Sequence, residues 1–185
     1  MRTGVYSNTE YDIIKNKIDI AIIGRRIVAN DKLEVIPLAT QLYLQLYGTQ
    51  EYIDKYGMPN TPQEIQNHLF LGYINEEMNV QEYFKATHNS SGESITIPMS
   101  SQIVTNDGEN GLAMMLSNEI IVGMIDIAAK NIEKVYNRKI VNILPDWHAQ
   151  FMNYYLIKNT LKNQKNIELV SEFLINCFNK IDYLT

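Results

Sequence analysis

The chain has 185 residues, 45% of them hydrophobic, which is enough for one domain or two small lobes with a buried core. Its 16 Lys and Arg against 21 Asp and Glu give a net charge of −5, which repels phosphate backbones and acidic lipid headgroups. No apolar run approaches the roughly 20 residues that span a membrane, and the first residues lack the basic-then-apolar order of a signal peptide. We therefore expect a cytoplasmic protein with no membrane contact.

The first 24 residues alternate between strand and helix patterns. Residues 3–7 have strand character, residues 10–17 can form a short helix, and residues 19–24 form a compact apolar strand that ends at Gly24. A strand, a helix and a strand at this spacing predict a parallel crossover.

The next segment is rich in strand-forming residues and leads into two short helices. Residues 33–49 predict two strands joined near Pro37, because proline marks an edge position or a break. Residues 50–56 predict a helix that stops at Gly57. Thr61 as N-cap, Pro62 at the first helical position and Glu64 at the third predict another helix.

The remaining chain continues the alternation of strands and helices. We expect a hairpin loop at residues 89–92, and a strand at residues 102–105 that leads into a helix capped by Asn106 or Asp107. Further strands are predicted at residues 119–125, 139–144 and 151–159, with helices over residues 128–136 and after Asn163. This order predicts an α/β fold.

The last predicted helix repeats apolar residues at a spacing of three to four. They are Ile167, Val170, Phe173, Leu174, Phe178 and Ile181. Cys177 lies at the same spacing, so we expect a small buried apolar residue rather than a reactive thiol. A single cysteine excludes an internal disulfide and fits a reducing compartment.

The residue patterns of metal binding, nucleotide binding and covalent catalysis do not occur. His68, His88 and His148 are far apart and match no metal-ligand spacing. Residues 106–111 contain glycine but lack the Lys-Ser/Thr of a phosphate loop and the three-glycine spacing of a dinucleotide fold. No GxSxG nucleophile motif is found. We therefore expect no metal, no cofactor and no enzyme activity.

Two predicted helix starts could contact a ligand. Thr49 precedes one helix, and Asn106 and Asp107 precede another, so each could present free backbone N–H groups to an anion. The same residues could instead be ordinary caps that satisfy their own backbone. Two such ends facing one cleft would form a carboxylate site.

The segments at residues 11–24, 47–73, 104–125 and 140–147 occur in an order that resembles the effector-binding domain of LysR-type transcriptional regulators. The most specific is YGTQEYIDKYGMPNTPQEIQNHLFLGY at residues 47–73, where a small residue pair opens a helix before Gly-x-Pro, Thr-Pro-x-Glu and a His. YDIIKNKIDIAIIG at residues 11–24, VTNDGENGLAMMLSNEIIVGMI at residues 104–125 and IVNILPDW at residues 140–147 resemble further segments of the family. Ile23 stands where the family has Arg, and Met124 stands where it has Pro.

The resemblance implies an α/β fold of two Rossmann-like lobes similar to type 2 periplasmic binding proteins. Residues 1–38 and 151–185 would form lobe I, and residues 39–150 would form lobe II. The first strand and helix of lobe I would be missing from this chain. The family also implies a homodimer or higher oligomer, and DNA binding only through a winged helix-turn-helix that this chain does not contain.

The family further implies an effector bound between the lobes, and the two predicted helix starts favour a small, anionic one. The expected contacts are Gly24 and Arg25 on one side and Thr49, Thr105 and Asn106 on the other, because these residues follow strand ends or begin helices. Two other functions stay open. A solute-binding protein of the same fold would normally carry an export signal, and a prephenate dehydratase would carry a Thr-Arg-Phe signature, which this chain lacks.

Overall fold

The computed structural model describes residues 9–15, 17–24, 27–73, 80, 83–98, 103–105, 107–161 and 165–180. It divides into two compact units. One contains the described residues of Tyr43–Gln150, and the other contains those of Tyr6–Leu42 and Phe151–Thr185. Strands β2 (Leu33–Thr49) and β10 (Gln150–Asn159) carry the chain from one unit to the other. The fold is mixed α/β, as the sequence predicted.

The unit of residues 43–150 contains β2 with β7 and β8 paired to it, and a two-stranded sheet of β3 and β6 that an isolated bridge connects to the start of β7; we call these five strands together the large sheet. Besides β2, these strands are β3 (Leu71–Tyr73), β6 (Ile103–Thr105), β7 (Val122–Ile125) and β8 (Ile140–Ile143). β2 is antiparallel to both β7 and β8, whereas β3 is parallel to β6. A parallel bridge between Phe70 and Ile121 joins β3 to the strand that continues as β7. β2 therefore ends at the edge of the sheet where its neighbours begin.

Helix α2 (Gln50–Tyr56) follows β2, α3 (Gly108–Leu116) follows β6, and α4 (Asp126–Tyr136) follows β7. A 3-10 helix (Pro62–Asn67) lies between α2 and β3. A smaller antiparallel sheet has the order β5, β4, β9, formed by β4 (Tyr83–His88), β5 (Ser94–Pro98) and β9 (Trp147–His148).

The large sheet buries apolar side chains on both faces. Adjacent strand residues point to opposite faces, so Leu46 joins one buried cluster with Phe70, while Tyr47 joins another with Leu71 and Met115. The first cluster lies against α2 and the small sheet, and the second lies against α3 and α4. Burial on both faces explains why these strands are nearly continuous apolar runs rather than alternating ones.

The second unit is smaller. It contains α1 (Thr9–Ile14), β1 (Ile20–Ile23) and α5 (Lys165–Asn179), and β1 is antiparallel to β10. Its core is a cluster of Ile13, Ile27, Leu33 and Ile157. The buried amide of Asn159 donates to the carbonyl oxygen of Ile13 at 3.2 Å, which ties α1 to β10.

A buried ion cluster attaches α5 to the strands of this unit. The side chain of Lys158 on β10 is only 7% exposed, and its Nζ lies 2.8 Å from Glu168 on α5 and 3.3 Å from Glu34 on β2. Two carboxylates offset the cost of removing one ammonium from water. Lys158 therefore links three elements through one atom.

Two local predictions in the middle of the chain were wrong in part. β2 is one continuous strand rather than two joined near Pro37, because the proline ring fixes a φ that an extended strand tolerates and removes only one donor. The Thr61 to Glu64 pattern does open a helical segment with Pro62 first, but the segment is a 3-10 helix and the Thr61 side chain makes no capping hydrogen bond. Gly57, at a φ of 85°, does end α2.

The prediction for the last helix was also wrong in part. Its buried side is centred on Ile167 and Ser171, whereas Val170, Phe173 and Cys177 are exposed. The Ser171 hydroxyl donates to the carbonyl oxygen of Ile167 at 2.7 Å, so a serine is buried without an unsatisfied group. Because residues 167, 171, 174 and 178 recur on one side at 100° per residue, Cys177 points away from the core.

Candidate functional site

The carboxyl ends of two parallel strands lie side by side in the larger unit. Tyr73, the last residue of β3, pairs with Thr105, the last residue of β6. Ligands of open α/β sheets collect beyond the carboxyl ends of the strands. This edge, which we call the β3/β6 edge, therefore has the geometry of a binding site.

The helix that follows β6 begins at this edge with an acidic cap. Oδ1 of Asp107 accepts a hydrogen bond from the backbone N–H of Glu109 at 3.0 Å, and its Oδ2 accepts one from the Asn110 side chain at 3.1 Å. The Thr105 hydroxyl accepts from the Asp107 N–H at 3.1 Å. The sequence predicted Asn106 or Asp107 as the cap of this helix, and the residue that caps it is Asp107.

These carboxylates change the expectation about ligand charge. A helix N-terminus attracts an anion when its N–H groups are free, but here Asp107 already accepts from one of them. Asp107 and Glu109 also place two acidic side chains within the first turn of α3. The geometry supports a neutral, polar or cationic group at this helix end better than a carboxylate.

A glycine sets how closely α3 approaches β3. A Cβ atom built on Gly111 would lie 2.9 Å from Cδ2 of Leu71, a side chain with no exposed surface. Glycine at this position therefore lets the first turn of α3 rest directly on β3. The close packing fixes the position of the helix start relative to the β3/β6 edge.

Thr49 lies at the opposite edge of the sheet from Thr105. It pairs with Ile140, the first residue of β8, because β2 is antiparallel to its neighbours. It has no exposed surface, and its hydroxyl accepts from the Tyr52 N–H at 3.1 Å and donates to Oδ1 of Asn118 at 2.8 Å. Asn118 follows the C-terminal end of α3, whereas Thr105 precedes its N-terminal end. The structure therefore does not bring these two threonines together.

The remaining predicted contacts lie elsewhere. Gly24 follows β1 in the smaller unit and is exposed. Arg25 and Asn106 lie outside the described residues. Of the five predicted ligand contacts, Thr105 is therefore the one whose side chain the structure describes at the β3/β6 edge.

A polar cluster on β2, β8 and α4 was not predicted. The Tyr47 hydroxyl lies 3.2 Å from Oδ1 of Asp126 and 3.3 Å from Oε1 of Gln45, and the Asn142 amide donates to Gln45 at 3.1 Å. Burial, followed by the Asp126 charge, raises the pKa of Tyr47 well above its usual range. Gln45 and Tyr47 are two residues apart and share a strand face, which was the signal available in the sequence.

The histidines have structural partners. Nδ1 of His68 lies 2.7 Å from the Tyr52 hydroxyl, and Nδ1 of His148 lies 2.8 Å from Oδ1 of Asn89. Burial raises the pKa of Tyr52 to about 12. Among the described residues, no three His, Cys, Asp or Glu side chains converge to hold a metal ion, and no helix is long and apolar enough to cross a membrane.

Comparison with known proteins gives a consistent set of structural neighbours. The chain matches no protein-family model and no curated protein sequence. The regulatory domain of AphB from Vibrio vulnificus is similar over 88% of this chain and 76% of its own, with a TM-score of 0.67 and 18% identity. CrgA, a LysR-type transcriptional regulator from Neisseria meningitidis, is similar over 92% of this chain, with a TM-score of 0.71 and 20% identity.

The chain has the fold of a LysR-type regulatory domain. The effector domain of AmpR from Pseudomonas aeruginosa is a third example, with a TM-score of 0.64, 13% identity and coverage of 91% of this chain and 76% of that domain. The predicted two-lobe, periplasmic-binding-protein-like α/β fold is thereby confirmed. This chain spans 55% of the length of CrgA.

Proposed function

We propose that this chain is the effector-sensing domain of a LysR-type transcriptional regulator, with its two units as the two lobes. The observation that carries this function is the likeness to the regulatory domains of AphB and CrgA, which extends over 88% and 90% of the chain. The β3/β6 edge adds a place for a small ligand. A transcriptional regulator acts in the compartment that holds the DNA, so the proposed location of this protein is the cytoplasm.

The ligand is placed at the β3/β6 edge, with Thr105 and the neighbouring Asn106 as contacts. Thr105 is 9% exposed at the end of β6, and its hydroxyl accepts from the Asp107 N–H at 3.1 Å and donates to the Asp107 carbonyl oxygen at 3.4 Å. Gly24 and Arg25 are retained as proposed contacts from the smaller unit on sequence grounds alone. Thr49 is assigned to capping α2, because it has no exposed surface and lies at the edge of the sheet opposite Thr105.

A thermal-shift screen tests the sensing function. A ligand that binds only the folded state raises the melting temperature in a concentration-dependent way. The screen should include small carboxylates and aromatic acids, with neutral polyols and amines of similar size as a matched set, because Asp107 and Glu109 disfavour anions. We expect at least one class to stabilise the protein. No stabilisation by any class at millimolar concentration would contradict an effector-sensing role.

DNA contact is assigned to a part of the regulator that this chain does not cover. The net charge of −5 opposes binding to a phosphate backbone. Titration of labelled promoter DNA at physiological salt should show no sequence-dependent binding by this chain. Submicromolar, sequence-dependent affinity would contradict this assignment.

Self-association is proposed for the smaller unit. β1 lies at one end of the strand order among the described strands, and Leu169 and Phe173 on α5 are each 64% exposed. An open strand edge and exposed apolar side chains favour pairing with another chain. Analytical ultracentrifugation should show a dimer or a larger oligomer, and a pure monomer at high concentration would contradict this.

A further inference from the structure

The polar cluster of Gln45, Tyr47, Asp126 and Asn142 contains one buried acceptor without a donor. Oδ1 of Asn142 is closed to solvent, and no N–H or O–H of the described chain reaches it. A buried, unsatisfied polar atom costs about 1–3 kcal/mol, so native proteins rarely leave one. This atom therefore needs a donor.

The neighbouring hydrogen bonds show that the amide of Asn142 is correctly oriented. The Nε2 of Gln45 donates to the carbonyl oxygen of Pro145 at 3.2 Å, and a carbonyl can only accept. Oε1 of Gln45 must then face Asn142, whose Nδ2 donates to it at 3.1 Å. Rotating the Asn142 amide would place two oxygens against each other. Oδ1 is consequently the atom that points away from Gln45.

The Tyr47 hydroxyl does not supply this donor. The Tyr47 hydroxyl carries one hydrogen and lies between two acceptors, Oε1 of Gln45 and Oδ1 of Asp126. It can satisfy only one of them at a time, and it has none left for Asn142. A protein donor from within the cluster is therefore excluded.

The acceptor lies between the sheet and α4. Asn142 pairs with Tyr47 across the strands, so both side chains are on the face that packs against α4. Glu133 of α4 accepts from the Ile140 N–H at 2.9 Å on the same side, which brings the helix over β8. A group bound at Oδ1 would be enclosed by β2, β8 and α4.

We propose that one internal water molecule binds at this position and donates a hydrogen bond to Oδ1 of Asn142. Internal water molecules bind where a buried polar group lacks a partner, and water can donate to an acceptor such as this one. It is also small enough for a site closed to solvent. The water completes the hydrogen bonding of a cluster that joins β2, just beyond the point where the chain passes between the units, to β8 and α4.

Oxygen-17 relaxation dispersion of water, which detects internal water molecules with long residence times, tests this site. Asn142→Leu has nearly the same side-chain volume and no acceptor, and Asn60→Leu is the matched control because Asn60 is an exposed loop residue. The dispersion amplitude should fall by the share of one water in Asn142→Leu and stay unchanged in Asn60→Leu. An unchanged amplitude in folded Asn142→Leu would overturn the proposal.

A high-resolution crystal structure of the unaltered protein is the second readout, and it decides the matter if Asn142→Leu does not fold. A water peak at hydrogen-bond distance from Oδ1 of Asn142 is the expected result. A chain donor at that position, or no density there, would show that no water binds.

Discussion

The Thr49 hydroxyl donates a 2.8 Å hydrogen bond to Oδ1 of Asn118, which fixes the start of α2 to the C-terminal end of α3. Asn118 has a φ of 66°, a left-handed conformation that asparagine tolerates better than most residues. The bond spans 69 positions of sequence. It makes Thr49 a structural residue at the edge of the sheet opposite the proposed ligand site.

Replacing Thr49 with valine should therefore lower the free energy of unfolding by about 1–2 kcal/mol, since both a helix cap and a buried hydrogen bond are lost. Thr61→Val is the matched control, because Thr61 is exposed and its side chain makes no capping bond. Urea denaturation monitored by circular dichroism measures both variants. Equal losses in the two variants would contradict the role given to Thr49.

Gly111 and Gly108 provide a second matched pair within α3. Gly111→Ala should destabilise the protein by about 1–3 kcal/mol, because the new methyl group meets Leu71 in a closed core. A Cβ at Gly108 meets no atom within 4 Å. Gly108→Ala should be neutral or stabilising by up to about 1 kcal/mol, because alanine restricts the unfolded chain. Thermal denaturation should therefore show a clearly lower melting temperature for Gly111→Ala and an equal or higher one for Gly108→Ala.

The elements that the sequence predicted well are those whose signal is local. The end of α2 at Gly57 and the Asp107 cap depend on one or two residues and their own backbone. The motifs between residues 11 and 147 also predicted the fold, because they follow one another along the chain in the order that the family shows.

The features that the sequence did not predict depend on partners far along the chain. Thr49 was expected beside Thr105, but the antiparallel pairing of β2 with β8 moves it to the other edge of the sheet. The Asn142 cluster joins residues up to 97 positions apart. Cys177 was expected to be buried because its spacing fits the apolar pattern, whereas contacts centred on Ser171 determine which side of α5 faces the core.

The Lys158 cluster predicts a stability change on α5. Glu168→Gln should lower the free energy of unfolding by about 1–2 kcal/mol, because it removes one of the two carboxylates that accompany a buried ammonium. Glu172→Gln is the matched control, an exposed residue on the same helix. Guanidinium interferes with ion pairs, so urea is the denaturant of choice.

The same cluster sets a pH dependence at the alkaline end. Burial alone would lower the pKa of Lys158, but hydrogen bonds to Glu168 and Glu34 more than offset this and raise it. Stability from this group is fully present below the ordinary lysine pKa of about 10.4 and is lost as the pH rises through the higher folded value. Unfolding measured from pH 9 upward should show this loss, and Glu168→Gln should reduce it.

His148 predicts a pH dependence at the acidic end. Its ring is buried and donates from Nδ1 to Asn89, and burial lowers its pKa. Stability from a lowered pKa is present above the ordinary histidine value of about 6.5 and is lost as the pH falls through the folded value. The free energy of unfolding should decrease over this range, by at most about 1.4 kcal/mol per pH unit for one proton. His148→Gln should flatten the curve, and an unchanged slope would contradict a neutral, buried His148.

Calorimetric titration of a ligand found by screening, with the unaltered protein, Thr105→Val and Thr49→Val, tests the central claim most directly. Both variants remove a buried hydroxyl, but only Thr105 lies at the β3/β6 edge. We predict that Thr105→Val weakens binding about five-fold or more, the effect of one lost hydrogen bond, while Thr49→Val leaves the Kd unchanged. An unchanged Kd for Thr105→Val, or an equal loss in Thr49→Val, would contradict an effector site at the β3/β6 edge.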